Sequence, residues 1–139
     1  MIQYFKNIKI KTDGQQLIEI TDKIIDFIKT SFINEGILNL SILHTSASLT
    51  VQENADPDVK KDLLNFFNNI APMIPDLYIH NSEGKDDMPA HIKTALTNTH
   101  LSLSIKSKKL ILGTWQGIYL FEHRLNKQNR TILAHIVGN

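Results

Sequence analysis

Histidines supply most of the side chains in this sequence that could perform chemistry near neutral pH, since imidazole titrates there and is the commonest metal ligand. Six are present, at positions 44, 80, 91, 100, 123 and 135. Three of them, His44, His80 and His91, fall where one predicted element gives way to another. A single histidine in such a place is usually solvated or hydrogen-bonded, but three together indicate a polar site.

The residues after His44 are small or carry hydroxyl groups. Thr45, Ser46, Ala47 and Ser48 would leave space for a ligand and supply hydrogen-bond donors. A buried strand rarely contains such a run. We therefore predict that this segment lines a pocket.

Asp87 and His91 are four residues apart, so both would lie on one face of a helix. An aspartate in that position can orient an imidazole ring or bind the same metal ion. The alternative is that an aspartate at the start of this helix simply caps it.

A second polar group, Glu53, Asn54 and Asp56, precedes a predicted helix. Capping by Asp56 would account for one of these residues and leave the other two without a role. The positive N-terminal ends of two predicted helices, near positions 56 and 88, would attract an anion. A phosphorylated substrate suits that arrangement.

Two further segments carry candidate chemistry. The segment Gly113-Thr114-Trp115-Gln116-Gly117 interrupts an apolar strand, and two interpretations are equally consistent with it: a bulge packed in an interface, or a surface on which a flat heterocycle stacks. The triplet Glu122-His123-Arg124 offers a cation for phosphate and an acid or base. As an isolated triplet it would usually be a solvated surface feature.

The composition limits the classes of function. The length of 139 residues predicts a single domain over residues 1–139. The net charge of +1 comes from intermixed acidic and basic residues, which argues against nucleic acid as a partner. With no cysteine, any metal must be held by His, Asp, Glu or Asn. Without a signal peptide or an apolar run of about 20 residues, we expect a cytoplasmic protein with no membrane partner.

Local patterns predict an α+β sandwich with about three helices and a mainly antiparallel or mixed sheet. Residues 3–11 and 17–20 are predicted to form a hairpin around Asp13-Gly14. Helices are predicted from Thr21, as N-cap, to Gly36, from Asp56 to Pro72, and from about residue 88 through Leu96. The other predicted strands are 37–43, 48–52, 101–106, 110–121 with a break near Gly117, and 131–137. No Walker loop, dinucleotide fingerprint, nucleophile elbow or metalloprotease helix is present, so the residues alone predict only a polar pocket.

Four blocks of this sequence, taken together, resemble the YjbQ-like family. They are HTSASLT at 44–50, QENADPDV at 52–59, EGKDDMPAHIK at 83–93, and LGTWQGI at 112–118 leading to Glu122-His123-Arg124. The blocks cover nearly the whole chain, and the last one alone is similar to the family signature.

The resemblance implies a homotrimer with a histidine-lined site that holds a divalent metal, zinc or alternatively magnesium. It also implies a secondary thiamine-phosphate synthase activity, which joins a hydroxymethylpyrimidine diphosphate to a thiazole phosphate with loss of diphosphate. The substrates would be small phosphorylated heterocycles. The alternative is a housekeeping protein that binds a metal or small molecule and has this activity only incidentally.

Carried onto this sequence, the resemblance assigns three sets of residues. The metal ligands are His44, His80 and His91, with Asp87 or a water completing the shell. Residues that position or activate the substrates are Glu53, Asp56, Asp87, His123 and Arg124. Those that contact the substrates are Thr45, Ser46, Asn54, Trp115 and Gln116. His100 and His135, which adjoin or lie within ordinary strands, are not expected to bind metal.

Overall fold

The chain of this protein passes repeatedly between two β-sheets. The computed structural model describes residues 1–139. In chain order the elements are β1 (Ile2–Asp13), β2 (Gln16–Glu19), α1 (Thr21–Thr30), β3 (Gly36–Ile42), β4 (Ala47–Glu53), α2 (Pro57–Ile70), a 3₁₀ turn (Pro75–Leu77), α3 (Asp87–Leu96), β5 (His100–Lys106), β6 (Lys109–Leu110), β7 (Gln116–Glu122) and β8 (Lys127–Gly138). The predicted α+β class is confirmed. None of the helices is long and apolar enough to cross a membrane.

The strands form a five-stranded sheet of order β1-β8-β3-β5-β6 and a three-stranded sheet of order β2-β7-β4. Every pairing is antiparallel. The consecutive pairs β1-β2, β3-β4 and β7-β8 each place one strand in each sheet. Their connections are residues 14–15, 43–46 and 123–126. They meet at one end of the sheets, because Gln16 and Ala47 both pair with Glu122 and Asp13 pairs with Lys127, and we call this region the sheet corner.

The predicted hairpin of β1 and β2 is wrong. β1 pairs with β8, and β2 pairs with β7, so the chain passes between sheets at the Asp13-Gly14 break. Gly14 has a φ of +92°, and a Cβ there would lie 3.1 Å from the carbonyl oxygen of Leu125. Asp13-Gly14 does form a turn, but the partners of the two strands lie 100 or more residues away in sequence.

The main core lies between the two sheets and α1. Ile132, Ala134 and Ile136 alternate along β8 and are fully buried, as are Leu38 and Leu40 of β3. Removal of such side chains from water stabilises the fold by roughly 1.5–3 kcal/mol for each of the larger ones.

The first helix differs from its prediction at both ends. Its N-cap is Ile20, and the Thr21 hydroxyl instead accepts a hydrogen bond from the backbone N–H of Ile118 at 2.9 Å. It ends at Thr30, well before Gly36, because the next residues turn toward β3. Phe32, which lies inside the predicted helix, follows its observed end and is exposed.

The second helix begins as predicted, with the Asp56 carboxylate accepting a hydrogen bond from the backbone N–H of Asp58 at 2.9 Å. The helix covers the outer face of the three-stranded sheet, where Phe67 packs edge-on against Phe121 at 5.4 Å between ring centroids. No residue of α2 is buried, and Phe66 and Ile70 on its apolar stripe are exposed. The stripe is therefore only partly covered by the rest of the chain.

The predicted strand 110–121 is interrupted earlier than expected. β6 ends at Leu110 and β7 begins at Gln116, so Gly117 lies within a strand. The Gln116 side chain accepts a hydrogen bond from the backbone N–H of Gly113 at 2.7 Å, which closes a tight turn between the two strands. The break thus lies at residues 111–115.

Candidate functional site

Three predicted site residues, His80, Asp87 and His91, converge where α3 begins. The Oδ2 atom of Asp87 lies 2.6 Å from Nε2 of His80 and 3.4 Å from Nε2 of His91. One ligand atom from each residue can be chosen so that all lie within 4.8 Å of one another. Asp87 is buried, whereas both histidines are partly accessible. The four-residue spacing puts Asp87 and His91 on one helix face as predicted, and the preceding loop supplies His80.

The tautomer of His91 follows from its contacts. Its Nδ1 atom lies 2.8 Å from the carbonyl oxygen of Thr45, and a carbonyl can only accept, so Nδ1 carries the hydrogen. In the neutral ring the lone pair is then on Nε2, which faces the Asp87 carboxylate. Two electron-rich atoms at this distance are stabilised by a cation or a proton between them. A backbone carbonyl that fixes the ring in this way is typical of metal-binding histidines.

Arg124 joins the sheet corner to α3. Its Nη1 donates to Oδ1 of Asp87 at 2.6 Å, its Nε to Oδ2 of Asp86 at 2.9 Å, and its Nη2 to the carbonyl oxygen of Glu83 at 3.1 Å. Three of the five guanidinium N–H groups are thus engaged and two remain. The Asp86 side chain makes no capping bond at α3, so the carboxylates here serve Arg124 and the histidines rather than the helix end.

The electrostatics of this contact favour the ionised forms. Burial acts to raise the pKa of Asp86, but hydrogen bonds from the backbone N–H of Leu125 and from Arg124 outweigh it, and the pKa is lowered. Burial likewise acts to lower the pKa of Arg124, and Asp86 and Asp87 raise it overall. Asp86 and Arg124 therefore stay charged at neutral pH.

His44 lies outside the convergent group. Its Nε2 atom accepts a hydrogen bond from the backbone N–H of Thr131 at 2.8 Å. A neutral imidazole that accepts at Nε2 carries its proton on Nδ1, so neither nitrogen of His44 offers a free lone pair in this conformation. Burial, followed by the charge of Arg130, lowers the pKa of His44 and favours this neutral form. Asp87, rather than His44, is the third residue that converges with His80 and His91.

A buried ion pair that the sequence reasoning missed lies behind the site. Glu122 is fully buried and accepts hydrogen bonds from Nε of Arg130 at 2.7 Å and from the Thr12 hydroxyl at 2.8 Å. Arg130 also donates to the carbonyl and hydroxyl oxygens of Ser46 at 3.1 and 3.0 Å. The predicted ligand-binding residue Ser46 is therefore held by Arg130. The sequence carries one sign that Arg130 is buried. Arg130 is in phase with Ile132, Ala134 and Ile136, the buried residues of β8.

His123 is buried against Phe121, at 4.4 Å between ring centroids, and is not part of the convergent group. Its Nε2 atom lies 2.9 Å from the Ser48 hydroxyl, and its Nδ1 atom is buried with no partner. Burial, followed by the charges of Lys93 and Arg130, lowers the pKa of His123 to about 3. A ring that is neutral and enclosed is poorly placed to exchange protons with a substrate.

Lys93 is a second buried group that the sequence reasoning missed. Its ammonium group donates to Oδ1 of Asn68 at 2.5 Å, which links α3 to α2. Burial lowers the pKa of Lys93 to about 8. Nothing in the local sequence pattern distinguishes Lys93 from an exposed helical lysine.

The other predicted site residues lie at the far end of the three-stranded sheet: Glu53, Asn54, Asp56, Trp115 and Gln116. β4 pairs with β7 from Ala47 opposite Glu122 to Glu53 opposite Gln116. Six residue steps along β4, a length of about 20 Å, separate those ends. Within this chain, these residues and the histidine cluster therefore do not line one pocket.

The residues at this end of the sheet contact one another and the start of α2. The Glu53 carboxylate accepts a hydrogen bond from the backbone N–H of Asp56 at 3.3 Å, next to the start of α2. The backbone N–H of Asn54 donates to the carbonyl oxygen of Trp115 at 2.9 Å. The Trp115 ring is largely exposed, so a planar partner could stack on it.

The two histidines that were not expected to bind metal lie on the five-stranded sheet. His100 begins β5 and is exposed. His135 lies in β8, where its ring stacks on Phe5 at 4.1 Å and its Nε2 lies 2.9 Å from the side-chain oxygen of Gln3. Neither belongs to the convergent group.

Comparison with known proteins gives a consistent family match. A family model described as "UPF0047 protein YjbQ-like" matches residues 6–139. The UPF0047 protein sll1880 of Synechocystis is 43% identical over 136 residues, covering 98% of this chain and 92% of that protein. The UPF0047 protein YugU of Bacillus subtilis is 38% identical, covering 96% and 98%.

Solved structures match over the whole chain. An uncharacterized YjbQ/UPF0047 protein from Clostridium acetobutylicum has a TM-score of 0.84 at 34% identity, covering 99% of this chain and 100% of that one. A YbjQ-like protein of unknown function from Sulfolobus solfataricus has a TM-score of 0.91 at 24% identity, covering 99% of each chain, and supports the fold alone.

Proposed function

Because this chain belongs to the YjbQ-like UPF0047 family, we propose that it is a transferase of the thiamine-phosphate synthase type with a zinc site at His80, Asp87 and His91. The observation that carries the proposal is the convergence of two imidazole nitrogens on one oxygen of a buried carboxylate. Such a set suits a metal site with a fourth position open to water or substrate.

The separations of the three ligand atoms, all within 4.8 Å, leave room for one shared ion. Metal–ligand bonds of 2.0–2.1 Å place tetrahedral ligand atoms about 3.3 Å apart. The separation of 3.4 Å between Asp87 and His91 matches that value, whereas the 2.6 Å hydrogen bond between Asp87 and His80 would have to lengthen if an ion bound. Arg124 holds the other oxygen of Asp87, so the carboxylate offers one ligand atom. Two imidazoles favour zinc over magnesium, which prefers oxygen ligands.

The proposed reaction joins two phosphorylated heterocycles. The thiazole nitrogen attacks the methylene carbon of the hydroxymethylpyrimidine diphosphate, a C–N bond forms, and the C–O bond to the diphosphate breaks. His80, Asp87 and His91 would hold the divalent ion, which when bound would stabilise the charge of the departing diphosphate. Arg124, with two N–H groups not engaged, is the cation of the chain that would contact the same phosphates.

A second candidate is a metal- or small-molecule-binding protein with incidental synthase activity. The observation that favours it is the separation of Glu53, Asn54 and Trp115 from the histidine cluster along β4 and β7. In a single subunit Trp115 therefore does not lie beside the proposed zinc site. We propose a homotrimer as the assembly, in which subunit contacts would bring further residues to each cluster.

Growth of a thiamine-requiring host that lacks its principal synthase tests the proposal. Rescue at low expression, lost in a His91→Ala variant and retained in His135→Ala, is the expected result. Rescue only at high expression would favour the second candidate. Absence of thiamine phosphate when the purified, zinc-loaded protein is given both substrates would refute the synthase proposal.

A further inference from the structure

We infer that the buried Glu122–Arg130 ion pair is a positioning device for the proposed zinc site, holding the supports of Asp87 and His91 in register. The inference rests on the proposed function of that site, and its residues are not themselves zinc ligands. It adds two positioning residues behind the histidine cluster.

Burial of the Glu122–Arg130 ion pair costs desolvation free energy. Glu122 is 0% and Arg130 4% exposed. Apolar residues of similar volume often stabilise a core as well as a buried ion pair does, since the desolvation of two charges offsets their attraction. Packing alone therefore gives little reason for these two charges at the sheet corner. Their hydrogen bonds to the connecting segments give a better one.

One side of the pair supports Asp87. Besides Arg130, Glu122 accepts hydrogen bonds from the backbone N–H groups of His123 and Arg124 at 3.1 and 3.0 Å. These bonds fix the start of the segment 123–126. The side chain of Arg124 then leaves the corner toward α3 and holds Oδ1 of Asp87 at 2.6 Å. Arg124 thus connects Glu122 to the carboxylate of Asp87, whose orientation depends on both.

The other side supports His91. The Nη2 atom of Arg130 donates to both oxygens of Ser46 at 3.1 and 3.0 Å, which anchors the segment 43–46. The neighbouring carbonyl, that of Thr45, accepts the hydrogen bond from Nδ1 of His91 at 2.8 Å. The carbonyl that fixes the tautomer of His91 is therefore one residue from the contact with Arg130.

The geometry requires a guanidinium group. Arg130 uses Nε and Nη2 for Glu122 while Nη2 also contacts Ser46. The ammonium group of lysine is a compact point charge and does not reproduce this planar arrangement. Arg130→Lys keeps the charge and removes the fork, and Glu122→Gln keeps the shape and removes the charge. Both variants test position rather than bulk.

The test is zinc affinity, measured by competition with a chromophoric chelator, for the full-length wild type, Arg130→Lys and Glu122→Gln. Circular dichroism and urea unfolding in EDTA report how much of each protein is folded. We expect zinc binding to weaken about 10- to 100-fold in the folded variants, the loss typical of residues that orient metal ligands. Thr94→Val is the matched control, since it removes a buried bond to Ala90 within α3 without contacting the pair. Its affinity should equal that of the wild type.

Wild-type affinity in folded Arg130→Lys and Glu122→Gln would overturn the inference and leave the zinc site intact. Absence of zinc binding by the wild type would instead refute the proposed site. Thr12→Val is the milder variant if the other two do not fold, because it keeps both charges of the ion pair. It removes the hydroxyl bond to Glu122, at 2.8 Å, and the bond that the same hydroxyl accepts from the backbone N–H of Gln128, at 3.2 Å. Thr12→Val should weaken zinc binding about threefold, an effect of the size expected for the loss of one hydrogen bond to Glu122. Unchanged affinity in that variant would likewise overturn the inference.

Discussion

The Nδ1 atom of His91 donates a hydrogen bond to the carbonyl oxygen of Thr45, 46 residues earlier in the chain, at 2.8 Å. The contact joins α3 to the connection between β3 and β4. It sets the tautomer of His91 and directs the free nitrogen toward Asp87. The candidate metal site is thus built by the meeting of a helix start with the sheet corner.

His44 should be dispensable for zinc although it was predicted as a ligand. Its Nε2 accepts from the backbone N–H of Thr131, so its neutral ring has no lone pair to give. His44→Ala should keep its zinc and lose about 1–3 kcal/mol of unfolding free energy, because the N–H of Thr131 loses its acceptor. Chelator competition and urea unfolding measure the two effects. Zinc loss as large as in His80→Ala would restore His44 to the ligand set.

His123 should make the protein sensitive to acid. Its pKa is lowered to about 3 in the folded state, against about 6.5 when unfolded, so the unfolded chain binds more protons between those values. The stability it contributes is present above pH 6.5 and is lost as the pH falls, by up to about 1.4 kcal/mol per unit.

The matching experiment is urea unfolding of the metal-free protein between pH 4 and 6.5. His123→Phe should lose less unfolding free energy over this range than the wild type, because phenylalanine has no proton to bind. Parallel pH profiles for the two proteins would show that His123 is not a source of acid sensitivity.

The apolar surface beside α2 should be covered by another subunit. No residue of α2 is buried, and exposed apolar side chains continue beyond it. They are Phe66, Ile70, Ile74, Leu77, Ile79 and Leu96. Light scattering should give three times the subunit mass of 15.8 kDa, about 47 kDa. Phe66→Glu should yield smaller species, whereas Phe32→Glu, remote from α2, should not. A monomer mass for the wild type would contradict the trimer.

The sequence predicted elements whose signals are local. Asp56-Pro57 marks the start of α2 through capping and a fixed proline φ, and both act within one turn. The four-residue spacing of Asp87 and His91 likewise gave their common face correctly. These features depend on neighbours along the chain, so periodicity and residue type suffice to predict them.

The sequence could not predict which segments meet. The Asp13-Gly14 turn looked like a hairpin because its partner strands, β7 and β8, lie at the other end of the chain. For the same reason the family resemblance assigns Glu53 and His91 to one site, although β4 places Glu53 at the far end of its sheet. A buried arginine is unusual, so residue type alone predicts an exposed side chain for Arg130. Its phase with the buried residues of β8 was the available sign.

Elemental analysis of the purified wild type and of the His91→Ala and His135→Ala variants tests the zinc site most directly. His91 contacts both Asp87 and Thr45, whereas His135 stacks on Phe5 on the five-stranded sheet. We predict one zinc per subunit in the wild type and in His135→Ala, and loss of most of it in His91→Ala. Equal zinc in the two variants, or loss only in His135→Ala, would contradict the assignment of the site to His80, Asp87 and His91.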